Sequence, residues 1–260
     1  MAAYQAQQPR RSWRPLQDTV NDAMLPLTDD LRWGDWLGGF DYYPESALRL
    51  WLDIDALIRE CSDGRHSLDD FARVFIAARD GERRPRPYGF DDVVAALNQV
   101  QPLDWRTLLR ERLDDLRPAT GAPSGLEHTG WRLAFADVRS ALDLASVHPK
   151  KPSFSMLYSV GVMVASDGKL QQVSWDSPAF RQGLAPGDQL LAVQGRAYTP
   201  ERAEAALKAA RDDGTAMAWW VKRDDDYRVV SFDGRGGPRH PKLERVDGTP
   251  DRLADILKPR

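Results

Sequence analysis

The stretch from Asp167 to Gly195 constrains this chain most, because glycine, proline and helix-capping residues recur in it so often that only short elements fit between them. Asp167-Gly168 is a hairpin turn leading into an apolar strand from Leu170 to Ser174. Ser177-Pro178 places a capping hydroxyl immediately before a proline at the first helical position, and Gly183 closes that short helix. Gly183-Leu184-Ala185-Pro186-Gly187-Asp188 follows as a tight turn, then a strand from Gln189 to Val193 and a second turn at Gln194-Gly195.

The flanks continue the pattern. Thr199-Pro200 caps a helix running to Arg211, with Ala203, Ala206, Leu207 and Ala210 on its inner face. Strands over 215–222 and 227–232, joined at Asp224-Asp225-Asp226, complete a sheet. Upstream, Tyr158-Ser159-Val160-Gly161-Val162 is an apolar-Gly-apolar turn entering a strand from Val162 to Ala165. Successive N–H groups at Val160, Gly161 and Val162 can converge on one concavity, because glycine lets the backbone turn without a side-chain clash.

Together these segments resemble the PDZ domains of bacterial proteases over 152–235. The resemblance implies that a peptide carboxylate binds at Val160, Gly161 and Val162 while the peptide adds as a strand beside 162–165. The far wall of the groove is then the helix that begins after Thr199. Val162 and Val164 facing Ala203 and Leu207 make an apolar slot suited to a terminal aliphatic side chain, whereas Ala206 and Ala210 read as core packing.

The first half is helical. Ala47, Leu48, Trp51, Ile54, Leu57 and Ile58 recur at three and four over Pro44 to Glu60, and Gly64 ends that helix. Ser67 with Asp70 caps a second helix that buries Leu68, Phe71, Val74 and Phe75. A loop spans 80–87, a third helix follows Asp91 with Val94 and Leu97 inward, and a fourth follows Asp104 with Trp105, Leu108, Leu109, Leu113 and Leu116 on one stripe. A segment rich in Pro and Gly, 117–125, then separates this region from Trp131, Leu133 and Phe135, which alternate as a strand does. Residues 1–40 carry Trp13, Leu31, Trp33, Trp36 and Leu37 without a sustained period.

Composition narrows the partners. With 36 Lys and Arg against 39 Asp and Glu, the net charge is -3, which gives no basic footprint for nucleic acid. No apolar stretch reaches the length of a membrane span, and 1–14 lacks the apolar core of a secretory signal, so the expectation is a cytoplasmic chain with peptide partners. Cys61 is the sole cysteine and reads as a small apolar residue, not a nucleophile.

Further segments are Ser12 to Thr19, Asp41-Tyr42-Tyr43, Trp51 to Asp55, Ser67 to Phe71 and Tyr88 to Val94. With the order helical domain, linker and PDZ domain, they resemble the C-terminal part of the glycyl aminopeptidase family of zinc metallopeptidases. The resemblance implies an α+β multidomain chain: an all-α C-terminal part of a gluzincin-type catalytic domain at 1–118, a linker with a strand at 119–151, a small β-rich PDZ domain with two helices at 152–235, and a tail with a short helix at 236–260.

It further implies that 1–40 continue a catalytic domain whose first part is absent, and that intact relatives are exported. Family chemistry needs zinc held by His-Glu-x-x-His, and no such spacing occurs here: His66, His128, His148 and His240 are scattered and read as loop residues, so no metal site or cofactor is expected in this chain. Tyr43 falls where related enzymes place an oxyanion-stabilising hydroxyl, though Glu45 and Ser46 depart from the usual setting and packing at a helix start explains it equally well. Three functions stay open: a non-catalytic fragment that binds peptide C-termini, a peptidase half completed by a separate zinc-bearing chain, and a non-enzymatic adaptor.

Overall fold

The computed structural model describes residues 15–21, 39–76, 81, 87–114, 126–140 and 153–258, and for 19–21, 39–47 and 127 the backbone alone. The expectations for Trp13, Leu31, Trp33, Trp36, Leu37, Leu116 and His148 lie outside the described residues. Helices and antiparallel sheets combine into an α+β chain with two compact units. Within the described residues the first unit gathers 15–21, 39–133 and 243–258, and the second 134–242.

In the first unit the helices are α1 (Leu16–Asn21), α2 (Gly39–Cys61), α3 (Leu68–Phe75), α4 (Phe90–Val100) and α5 (Trp105–Asp114). Helix α2 begins ahead of the expected start, so Pro44 lies inside it, where it removes one backbone donor. Ser67 caps α3 as its spacing predicts: Asp69 N donates to Ser67 Oγ, while Asp70 returns a carboxylate oxygen to Ser67 N at 2.9 Å. Ile54, Ile58, Phe71, Val94, Leu97, Trp105 and Leu109 form one apolar core.

Two buried carboxylates tie these helices together. Asp55 accepts from Leu68 N at 2.8 Å and from Arg59 Nε at 3.2 Å, fastening α2 to the start of α3. Asp53 accepts from Arg112 Nε at 3.0 Å, fastening α2 to α5.

The segment expected as a tail is structured and belongs to the first unit from residue 243 onward. Strand β9 (His240–Arg245) pairs with β1 (Trp131–Ala136), and helix α8 (Arg252–Leu257) follows. Asp251 caps α8 at Ala254 N and accepts from Trp131 Nε1 at 2.7 Å, while Arg252 donates to His128 O at 3.0 Å. These partners lie more than a hundred positions apart, so local pattern could not pair them.

The second unit packs β2 (Ser153–Met156), β3 (Val162–Ala165) and β4 (Leu170–Val173) as one antiparallel sheet in that order. The other sheet has the order β6-β5-β7-β8, from β5 (Gln189–Val193), β6 (Arg196–Ala197), β7 (Met217–Arg223) and β8 (Asp226–Phe232). Helix α6 (Pro178–Arg181) is capped by Ser177 and helix α7 (Pro200–Asp213) by Thr199, each with proline in the first turn as its sequence predicts. A shared core takes Val160, Val162, Val164, Ala203, Leu207, Trp219 and Phe232.

Candidate functional site

The turn at 157–161 is built so that its carbonyls face away from its amides. Val160 O accepts from Ala179 N at 3.1 Å, at the first turn of α6, and Gly161 O accepts from Ser174 N at 2.7 Å. Because each peptide plane holds the C=O of one residue and the N–H of the next on opposite edges, tying Val160 O outward turns the Gly161 amide inward. Gly161 has φ +87°, and a Cβ there would lie 2.1 Å from Ser177 Cβ, so glycine is required both by conformation and by close approach.

The inward amides converge on a single oxygen. Ser159 N, Val160 N and Gly161 N donate to Met156 O at 3.1, 3.0 and 3.0 Å, so the converging set begins at Ser159, one residue ahead of the expected Val160, Gly161 and Val162. Such a concavity of backbone amides is an anion-type cradle, here filled by a neutral carbonyl of the same chain. The turn is also fastened from outside: Arg239 N donates to Ser159 Oγ at 3.1 Å, the Arg239 guanidinium lies 4.3 Å from the Phe135 ring centroid, and that ring tilts against Tyr158.

Of the residues expected to bind peptide, Val160, Val162, Val164, Ala203 and Leu207 come together, all buried in one core with Ala206 and Ala210, and Gly161 sits in the turn beside them. The strand edge that the sequence reading leaves open is occupied. β3 pairs with β4 on one edge and with β2 on the other, in the register Phe154↔Val164 and Met156↔Val162. Phe154 and Met156 are 3% and 2% exposed, so they fill the apolar space on the face that Val162 and Val164 share. Arg139 caps Phe154 with its guanidinium 4.5 Å from the ring centroid.

Sequence reasoning missed this occupant. Its one signal is polar-apolar alternation in Ser153-Phe154-Ser155-Met156 immediately before the turn.

The turn before β5 is locked by charge. Asp188 is 2% exposed; its Oδ2 accepts from Ala185 N at 3.0 Å and from Arg223 Nη2 at 2.7 Å, and its Oδ1 from Arg223 Nε at 2.5 Å. Arg223 and Arg228 also donate to Gly183 O at 2.8 and 2.6 Å. The bidentate pair raises the Arg223 pKa, first through the hydrogen bonds to Asp188.

Tyr43 lies on the α2 backbone, and its side chain is outside the described residues. The described histidines do not come together: His128 Nδ1 is engaged with Glu60 at 2.6 Å, His66 sits 3.9 Å from Asp70, and His240 is buried in β9. Among the described residues no group of three or more His, Cys, Asp or Glu is placed to hold a metal. No helix among them is long and apolar enough to cross a membrane.

Neither a scan of protein-family models nor a search of curated proteins gives a match. Solved structures do. An aminopeptidase N family protein from Idiomarina loihiensis is similar over 84% of this chain at 22% identity and a TM-score of 0.51. The likeness shows a shared fold. The chain spans 36% of that neighbour's length. The HtrA3 PDZ domain bound to a phage-derived ligand, FGRWV, aligns with 44% of this chain and 91% of its own, at 17% identity and a TM-score of 0.22.

Proposed function

We propose that this chain is a peptide-binding portion of a glycyl-aminopeptidase-like protein, non-catalytic as it stands, whose second unit acts as a PDZ-type module for peptide C-termini. One observation carries the reading: the amides of Ser159, Val160 and Gly161 converge on one oxygen at the end of a strand pair. Helix α7 contributes its apolar face to the same core. An oxygen of an incoming carboxylate suits that cradle better than the carbonyl it now holds, because hydrogen bonds to an ionised acceptor are roughly twice as strong as neutral ones. The main chain of Arg239 holds Ser159, and its guanidinium lies over the Phe135 ring that tilts against Tyr158.

The non-catalytic part of the reading rests on residue chemistry. His-Glu-x-x-His does not occur in the sequence, and the described histidines are committed to carboxylates or buried in a strand.

Fluorescence polarisation with a labelled hexapeptide ending in a free valine, against the same peptide amidated at its C-terminus, tests the binding reading at protein concentrations up to the millimolar range. The free acid is expected to bind at least ~10-fold tighter, since amidation removes the charge the cradle would hold. Equal affinity for the two forms refutes it. Stoichiometric zinc together with release of an N-terminal glycine from a peptide would overturn the non-catalytic part.

A further inference from the structure

Strand β2 lies where a bound peptide would lie, in the direction such a peptide would take. Peptides that extend a sheet against a terminal-carboxylate cradle run antiparallel to the receiving strand, with their last residue at the turn. β2 is antiparallel to β3, it ends at the turn with Met156, and Met156 O sits in the amide cradle. The alternate residues Phe154 and Met156 point to the buried side, and Ser153 and Ser155 are half-buried on the other. Only the charge is missing, because the chain continues from Met156 into Leu157.

Resting on the peptide-binding reading above, we propose that Phe154-Ser155-Met156 is a resident ligand, so that the groove is self-occupied at rest. From outside it admits a chain end of the pattern aromatic, any residue, apolar, with a free carboxylate, and it does so by displacing β2. The pattern follows from what the groove already holds: Phe154 opposite Val164 and under Arg139, and Met156 opposite Val162. The balance follows from two opposing effects. Tethering gives β2 an effective concentration of order millimolar, which favours the resident. The incoming carboxylate offers charge to the amides of Ser159, Val160 and Gly161, which favours the visitor. Where β2 leaves the groove in about one molecule per hundred, the apparent affinity for a visitor falls about 100-fold.

The test uses the full chain and a labelled peptide ending Ser-Phe-Ser-Met with a free carboxylate. In Phe154→Asp the buried carboxylate expels β2 while leaving β3 and the turn unchanged, and binding tightens by ~10-fold or more over wild type. A disulfide form decides the matter should that variant unfold. Ser155→Cys with Met163→Cys joins paired residues of β2 and β3, in a Cys61→Ser background to leave no third thiol. Oxidation locks the groove and weakens binding by ~10-fold or more, and reduction restores it. Hydrogen exchange at the Val160 and Gly161 amides reports occupancy without any ligand: slow in wild type, fast in Phe154→Asp, with β7 and β8 slow in both.

Equal binding by wild type, locked and reduced forms overturns the resident-ligand proposal and leaves the peptide-binding reading standing. Freed turn amides with no binding in any form overturn the peptide-binding reading, and the proposal with it.

Discussion

Replacing Asp188 tests whether the Gly183–Asp188 turn is held by its buried carboxylate. Asp188→Ala removes both Arg223 hydrogen bonds and the bond from Ala185 N, leaving that amide without its partner. Breaking a buried ion pair costs about 3–5 kcal/mol when the surviving charge stays buried. Here Arg223 and Arg228 side chains are 45% and 37% exposed, so both guanidinium groups return to water and the electrostatic part is discounted. What remains is the orphaned amide, about 1 kcal/mol, and the loss of charge-assisted bonds that organise the turn, about 1–2 kcal/mol after resolvation.

The expected destabilisation of the second unit is therefore about 2–3 kcal/mol, a lowering of its thermal midpoint by roughly 10–20 °C for a unit near a hundred residues. Asp188→Asn keeps an acceptor for Ala185 N and is expected to cost about half as much. Calorimetry, with hydrogen exchange of the β7 amides to assign the transition to this unit, measures both. A loss under about 0.5 kcal/mol in Asp188→Ala would refute the reasoning, since that is the size of an ordinary surface substitution.

Gly161→Ala is expected to destabilise the second unit by about 2–4 kcal/mol, because φ +87° is strained for alanine and its Cβ would overlap Ser177; thermal melts check it, and Ser177→Gly should rescue the clash but not the strain. Arg112→Ala leaves the Asp53 carboxylate 3% exposed and unpaired, and is expected to cost the first unit about 3 kcal/mol by urea unfolding, with Asp53→Asn/Arg112→Ala recovering part of it. Burial, reinforced by the Glu201 charge, pushes the Tyr198 phenol up to about 12. Its folded value lies above its unfolded one, so it contributes stability below pH ~10 that is lost as pH rises toward 12, and Tyr198→Phe should flatten that limb of the alkaline unfolding curve. The Asp251 pKa is lowered, first by the hydrogen bond from Trp131 and then by Ala254 N. That contribution is present above the unfolded value near ~4 and lost as pH falls through the folded one, so hydrogen exchange in α8 should quicken with acid less in Asp251→Asn than in wild type.

What was legible in the sequence was whatever a few neighbouring residues decide. Ser67 with Asp70, Ser177 with Pro178 and Thr199 with Pro200 each start a helix at the expected place, because a cap acts across three positions. Val162–Ala165 and Gln189–Val193 have the bounds their alternation and flanking turns predict. Distant partners were not legible. Nothing local links Arg223 to Asp188, Trp131 to Asp251, or β9 to β1. The start of α2 differs from its expected place for the opposite reason: a strong local signal, Pro44, reads as a boundary although the helix runs through it, whereas the end at Cys61 lies within one residue of the expected one.

The occupant of the cradle lies between these cases: the turn can be read from sequence while what fills it cannot. The turn itself is local: Gly161 supplies the positive φ, and the tethered carbonyl of Val160 aims the Gly161 amide. On the resident-ligand proposal, which oxygen arrives is a competition whose terms are concentration and charge. Ser153–Met156 has the advantage of being joined to the loop it fills, and the alternation that places Phe154 and Met156 inward is too short to stand out from a linker. Had Met156 been followed by a chain end, the same residues would have read at once as a ligand. Because Leu157 follows instead, they read as connection, and only the register Met156↔Val162 together with the shared carbonyl shows that the connection pairs with β3 and fills the amide cradle.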